Sequence, residues 1–149
     1  MRLTLHKLVI LVRWAGVVMA LAAAFGLTGP IHYEDLGLPV SDKVAHGALF
    51  YALTLLMLGA LPRSRMGDMA LVLVAIGGAS EVVQGVVGRD MDVFDFLADS
   101  VGVAAAVAPA YLAAFRRLAR EHPHATLADL RALDRRRPRA AAPVAEEAA

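Results

Sequence analysis

Four apolar runs, at roughly 8–28, 44–61, 69–87 and 93–115, divide this chain, and each is close to the ~20 residues that carry a helix across a bilayer. Around the middle of each run the hydrophobicity goes all the way round, which a surface helix of a soluble fold does not show. A backbone in hydrocarbon has to satisfy its own hydrogen bonds, so the runs are read as helices. The connections at 29–43, 62–68 and 88–92 are short and make neighbouring helices run antiparallel. The expectation is an all-α polytopic membrane protein, an antiparallel bundle of four transmembrane helices over 1–118 with a cytoplasmic tail over 119–149.

Composition narrows the function classes. At 149 residues there is room for one domain, and a 58% hydrophobic content belongs to the membrane class. The net charge of +1, with arginines in short blocks free of interleaved aromatics, argues against a nucleic-acid partner. The chain has no cysteine, which excludes disulfides, thiolate metal sites and a cysteine nucleophile.

The first run also resembles a signal peptide, with Arg2 and Lys7 as a basic start and Ala20-Leu21-Ala22 as a cleavage-like stretch. Its length, the interruption by Arg13 and the interfacial character of Trp14 favour an uncleaved helix. Basic residues set the orientation. Arg2, Lys7 and Arg13 precede the first run, Arg63 and Arg65 separate the second from the third, and Arg116, Arg117 and Arg120 follow the fourth. These regions share the cytoplasmic side, so both termini are cytoplasmic. The other side carries Glu34 and Asp35, with only Lys43 and Arg89 as basic residues. In the tail, Thr126 and Asp129 have capping-box spacing, and Leu127, Leu130 and Leu133 recur at helical spacing ahead of Arg135, Arg136 and Arg137. An amphipathic helix on the inner leaflet and a solvated segment are both compatible with that pattern; beyond Pro138 the composition is that of disorder.

Ionisable groups inside membrane helices cost several kcal/mol unless partnered, so their placement is informative. His46 lies 17 residues from Arg63, Glu81 16 from Arg65, and Asp99 17 from Arg116. At 1.5 Å per residue, all three lie ~24–26 Å above the inner boundary, one level just below the outer interface. Asp42 precedes His46 by one helical turn, Gln84 follows Glu81 by three residues, and Asp92, Asp95 and Asp99 form one stripe. Lys43 and Arg89 lie at the same end, and Gly77, Gly78, Gly85, Gly88 and Gly102 allow close helix approach. His46, Glu81, Arg89 and Asp95 are therefore expected to meet. Four carboxylates (Asp42, Glu81, Asp95, Asp99) exceed the two cations (Lys43, Arg89), an imbalance relieved by a protonated His46, a protonated carboxylate or a bound cation. Interhelical glue of the ordinary structural kind is the competing reading. His32 and Tyr33 are read as interfacial loop residues, His122 and His124 as too distant to join the cluster, and Pro109 as a kink. No G-x-S-x-G, H-E-x-x-H or Walker pattern is present, and Ser41, Ser80 and Ser100 lack the spacing of a nucleophile–base pair.

Two blocks of about sixty residues together resemble the VanZ-like family. Asp42-Lys43-Val44-Ala45-His46, running on to Phe50, Tyr51 and Leu53, is similar to the family's D-K-x-x-H motif, and Glu81, Gln84, Arg89, Asp95 and Gly102 to its E-x-x-Q, R, D and N-x-x-G pattern. The chain differs in having Asp99 where the family often has Asn, and in a shorter, proline-free stretch from Gln84 to Arg89. The resemblance implies a bacterial plasma-membrane protein, with Asp42, Lys43, His46, Glu81, Gln84, Arg89, Asp95 and Asp99 as site residues. The family is named for a member linked to low-level resistance to the glycopeptide teicoplanin.

Two functional readings stay open. In the first, the protein binds membrane lipid: Lys43 and Arg89 hold an anionic lipid or cell-wall precursor, and the carboxylates orient them. In the second, His46, Glu81, Asp95 and Asp99 form a metal or proton-transfer site of an envelope-modifying enzyme. No cofactor is specified by the sequence. A proton-coupled transporter is a weaker third reading, since four helices are few and no inverted repeat is visible. The topology is checked by alkaline phosphatase fusions at Leu36, Ser64 and Ala140. Activity is expected only at Leu36, and an active Ser64 fusion contradicts the orientation.

Overall fold

The computed structural model describes residues 4–28, 41–88, 91–126 and 128–129, with side chains at all of these except 27 and 28. Four helices follow one another: α1 (Leu5–Thr28), α2 (Asp42–Ala60), α3 (Met66–Val86) and α4 (Val93–Glu121). No strand occurs among the described residues. All four are long and apolar enough to cross a membrane. The contacts divide the chain between Tyr111 and Leu112: the first unit holds α1–α3 and the N-terminal part of α4, the second the rest of α4 and the described tail.

Each helix outruns its apolar stretch at one end: α1, α2 and α3 begin two or three residues earlier, and α4 continues six residues further. α2 begins at Asp42, because Ser41 takes the N-cap position and its carbonyl accepts the Val44 and Ala45 N–H groups. Asp42 in that first turn suits the positive end of the helix dipole. α4 runs through Pro109 and past Phe115 to Glu121, with Arg120 in the last turn, where a cation is favoured. α3 stops at Val86, and Gly88 follows at φ 83, the left-handed conformation that glycine adopts without a Cβ penalty. In the second unit, Thr126 and Asp129 form the reciprocal capping bonds: Asp129 N–H donates to Thr126 Oγ1 at 3.3 Å, and Thr126 N–H to Asp129 Oδ2 at 2.9 Å. The leucine–arginine pattern at 127, 130 and 133–137 lies outside the described side chains.

Each of the inner three helices buries one stripe. On α2 it is His46, Phe50 and Thr54; on α3, Met69, Leu73, Gly77, Glu81 and Gln84; on α4, Asp95, Asp99, Gly102, Val103, Ala106 and Val107. The spacings of three and four residues keep each set on one face. Phe50, Leu73 and Val103 form the apolar centre. In every stripe the ionisable residues sit at one end, so polar and apolar parts of the interior are separated along the helices. α1 contributes less: of its described side chains only Ala23 is buried, and its hold on α2 runs through Gly16 against Leu56 and Val12 against Gly59. Arg13 Nε donates to the Ala60 carbonyl at 3.0 Å, satisfying one of the acceptors a helix C-terminus leaves open.

α2 and α4 come close at one point, where Gly102 faces the backbone of Gly47. A Cβ at Gly102 would collide with the Gly47 carbonyl oxygen and come within 3.0 Å of the Tyr51 backbone nitrogen. Both obstacles are backbone and cannot rotate away. Gly85 differs, since its added Cβ would meet Met91 at an ordinary 3.6 Å. Gly102→Ala is therefore expected to push α2 from α4 and lower stability by about 1–3 kcal/mol. Gly85→Ala should instead be neutral or stabilise by up to ~1 kcal/mol through the helix preference of alanine. Thermal unfolding in detergent measures both; equal effects would contradict this packing.

Candidate functional site

The site begins with Asp92, just ahead of α4. Its Oδ1 accepts the Phe94 N–H at 2.8 Å, the bond of an N-cap aspartate. Its Oδ2 accepts from Lys43 Nζ of α2 at 2.6 Å, and its backbone N–H donates to Glu81 Oε2 of α3 at 3.1 Å. One residue thus joins the start of α2, the end of α3 and the start of α4. Lys43 Nζ also donates to Asp95 Oδ1 at 2.9 Å and stands 5.9 Å from the centre of the Phe94 ring.

Beneath this half-exposed layer lies a buried one. His46 Nδ1 is 3.0 Å from Asp99 Oδ1, with the two side chains 2% and 0% exposed. On the other edge of the ring, His46 Nε2 is 4.0 Å from Asp42 Oδ1, whose side chain is half-exposed. Glu81 is buried as well. His46, Glu81 and Asp99 each offer a ligating atom within 4.8 Å of the others, and so do Asp42, His46 and Asp95. Two buried oxygens, Glu81 Oε1 and Asp99 Oδ2, have no hydrogen-bond partner among the described residues. Gln84 is buried on the same face of α3 as Glu81. Arg89 lies outside the described residues.

The structure therefore brings together Asp42, Lys43, His46, Glu81, Asp95 and Asp99 of the sequence-derived set. The residue that sequence reasoning left out of the set is Asp92. It was legible as part of the acidic stripe, and its position immediately before the apolar run marks an N-cap. Its further tie to Glu81 runs through a backbone N–H, which no side-chain pattern announces. The hydroxyls take no part: Ser80 Oγ donates to the Gly77 carbonyl at 2.7 Å and Ser100 Oγ to the Phe96 carbonyl at 2.9 Å, each within its own helix.

Among the described residues, five carboxylates surround one ammonium and one imidazole. Such an arrangement can hold a proton on the His46–Asp99 pair or a cation among the carboxylates. An apolar cavity of about 580 Å³ lies between α1, α2 and α3. Its lining includes Phe50, which follows His46 by four residues in α2, and Ser80 and Val83, which flank Glu81 in the sequence of α3; none of the cluster's own residues lines it. No family model, curated protein or solved structure matches the chain.

Asp92 lies outside the helical spans, and its hydrogen bond from Lys43, helped by the Phe94 N–H, holds its carboxyl below the ordinary carboxylate range. A depressed folded pKa gives stability that is present above the unfolded value, about 4, and lost as pH falls below it. The melting temperature of the wild type is expected to fall more steeply below about pH 4 than that of Asp92→Asn. Identical acid limbs would show that the Lys43–Asp92 pair does not couple α2 to α4.

Proposed function

We propose that the chain is a multi-pass protein of the bacterial plasma membrane, VanZ-like in kind, that binds an anionic lipid or lipid-linked envelope component at its extracytoplasmic end. Membrane insertion is supported by the apolar outer faces: Leu71, Val86 and Phe115 are 72%, 82% and 68% exposed, surface that only hydrocarbon would cover along four such helices. An antiparallel course of α1 and α2 is consistent with the contacts of Val12 with Gly59 and Gly16 with Leu56, which pair an advancing residue on α1 with a receding one on α2. With basic residues on the inner side, both termini are cytoplasmic and the cluster faces outward.

The observation that carries the binding reading is a charged cluster at one end of α2, α3 and α4 together with an apolar cavity lined by residues that neighbour His46 and Glu81 in sequence. The cavity volume of about 580 Å³ falls in the ~300–1,000 Å³ range of small-molecule sites. Its lining, including Ala20, Ala24, Leu53 and Ile76, suits a hydrocarbon chain. Lys43, half-exposed and oriented by Asp92 and Asp95, keeps one of its three N–H donors for a headgroup, and Arg89 is the second cation of the reading. Sequestering such a component offers a route to altered glycopeptide susceptibility. The enzymatic reading is favoured by a separate observation, the placement of His46 between Asp99 and Asp42 with unpartnered carboxylate oxygens nearby. In that reading, the pair moves a proton or holds a metal during envelope modification.

Native mass spectrometry of the detergent-purified protein is the test. Bound anionic lipid is expected in the wild type. Lys43→Gln, which removes the charge, and Ala20→Phe, which fills the cavity, should each reduce it ~10-fold, equivalent to about 1.4 kcal/mol. Undiminished lipid in both variants would rule out this site as the place of binding.

A further inference from the structure

The most negatively charged part of the interior is also the part with unsatisfied buried oxygens, and an acidic pocket repels an anionic ligand unless something offsets it. We infer that His46, Glu81 and Asp99 bind one divalent first-row transition ion, of the zinc or manganese class, where α2, α3 and α4 meet. This rests on reading the cluster as a working site, but not on the identity of its lipid.

Four observations carry it. The three residues come from three helices, and their ligating atoms lie within 4.8 Å of one another. Three ligands about 2.1 Å from a common tetrahedral ion lie ~3.4 Å apart, so side-chain movements of up to about an ångström close the set. All three side chains are more than nine-tenths buried, at 2%, 4% and 0% exposure. Each carboxylate has one oxygen engaged, Glu81 Oε2 by the Asp92 N–H and Asp99 Oδ1 by His46, and one oxygen without a partner. Finally, Asp99 Oδ2 occupies the notch left by a glycine: a Cβ on Gly77, one turn before Glu81, would lie 3.1 Å from it. The unpartnered oxygen of α4 is thereby held against the α3 face that carries Glu81.

The ligand chemistry selects the ion. An imidazole nitrogen with two carboxylates suits zinc, manganese or iron better than magnesium or calcium, which favour an all-oxygen set. Two positive charges offset the two buried carboxylates while His46 stays neutral. Three protein ligands leave a coordination position open, as in sites that take a water or a substrate oxygen. The second group, Asp42, His46 and Asp95, is the weaker candidate, because Asp95 Oδ1 is already held by Lys43 and Asp42 is half-exposed. It lies on the outer side of His46, toward the exposed layer.

The experiment uses the full chain in detergent, stripped with chelator and dialysed against Zn²⁺ or Mn²⁺ alone. Metal content and melting temperature are then read with and without excess Mg²⁺. One ion per chain is expected, with a metal-dependent rise in melting temperature that Mg²⁺ does not reproduce. Glu81→Gln and Asp99→Asn should each weaken binding by at least ~10-fold. Absence of a stoichiometric ion in wild type, equal competition by Mg²⁺, or wild-type binding in both variants overturns the assignment. Should the variants not fold, the resonance of Mn²⁺ in wild type decides: nitrogen coupling from His46 is expected, and its absence excludes the imidazole as a ligand. Copurified anionic lipid without an ion removes the metal and leaves the binding function; an ion without lipid does the reverse.

Discussion

A carboxylate removed from water needs a partner, and the junction of α2, α3 and α4 is arranged around that requirement. The half-exposed Asp92 supplies the most ties there, giving one oxygen to the first turn of its own helix, the other to Lys43, and its N–H to the buried Glu81. Three helix ends are thereby tied at one residue. His46 and Asp99 form a second tie deeper in, between α2 and α4. That tie depends on the two backbones lying close, which Gly47 and Gly102 permit.

The separation of polar and apolar parts along the buried stripes follows from the same economics of solvation. Phe50, Leu73 and Val103 fill the centre by dispersion and exclude water. The charges collect where each helix is nearest its end, so the desolvation they suffer is shared with the half-exposed Lys43 and Asp92 above them. Even so, Glu81 and Asp99 retain an unpartnered oxygen each. A network built only to hold helices together gains by satisfying every member, whereas one that accepts a ligand keeps acceptors in reserve.

Much of this was legible in the amino-acid sequence. The four helices follow from the length and all-round hydrophobicity of the apolar runs, which are local properties. The cluster followed from counting: His46, Glu81 and Asp99 stand at nearly equal distances from the basic markers, and helices of constant rise bring equal counts to equal heights. Helix ends were less legible. The extension of α4 to Glu121 runs through Arg116, Arg117 and Arg120, where hydropathy drops but nothing breaks the helix before Pro123. The bond from Arg13 to the Ala60 carbonyl depends on which helix α1 packs against, which no local pattern states.

The sequence by itself determined the number of helices, the apolar character of their faces and the end at which the ionisable groups gather, because each depends only on residue type and on the constant geometry of a helix. The tertiary structure decided the pairings: Asp99 rather than Asp95 with His46, Asp95 together with Asp92 on Lys43, and the Asp92 N–H on Glu81. A pairing depends on how far each helix is rotated about its own axis and how closely two axes approach. Those quantities are set by contacts between helices, such as the Gly47–Gly102 crossing, and residue spacing along one helix carries no information about them.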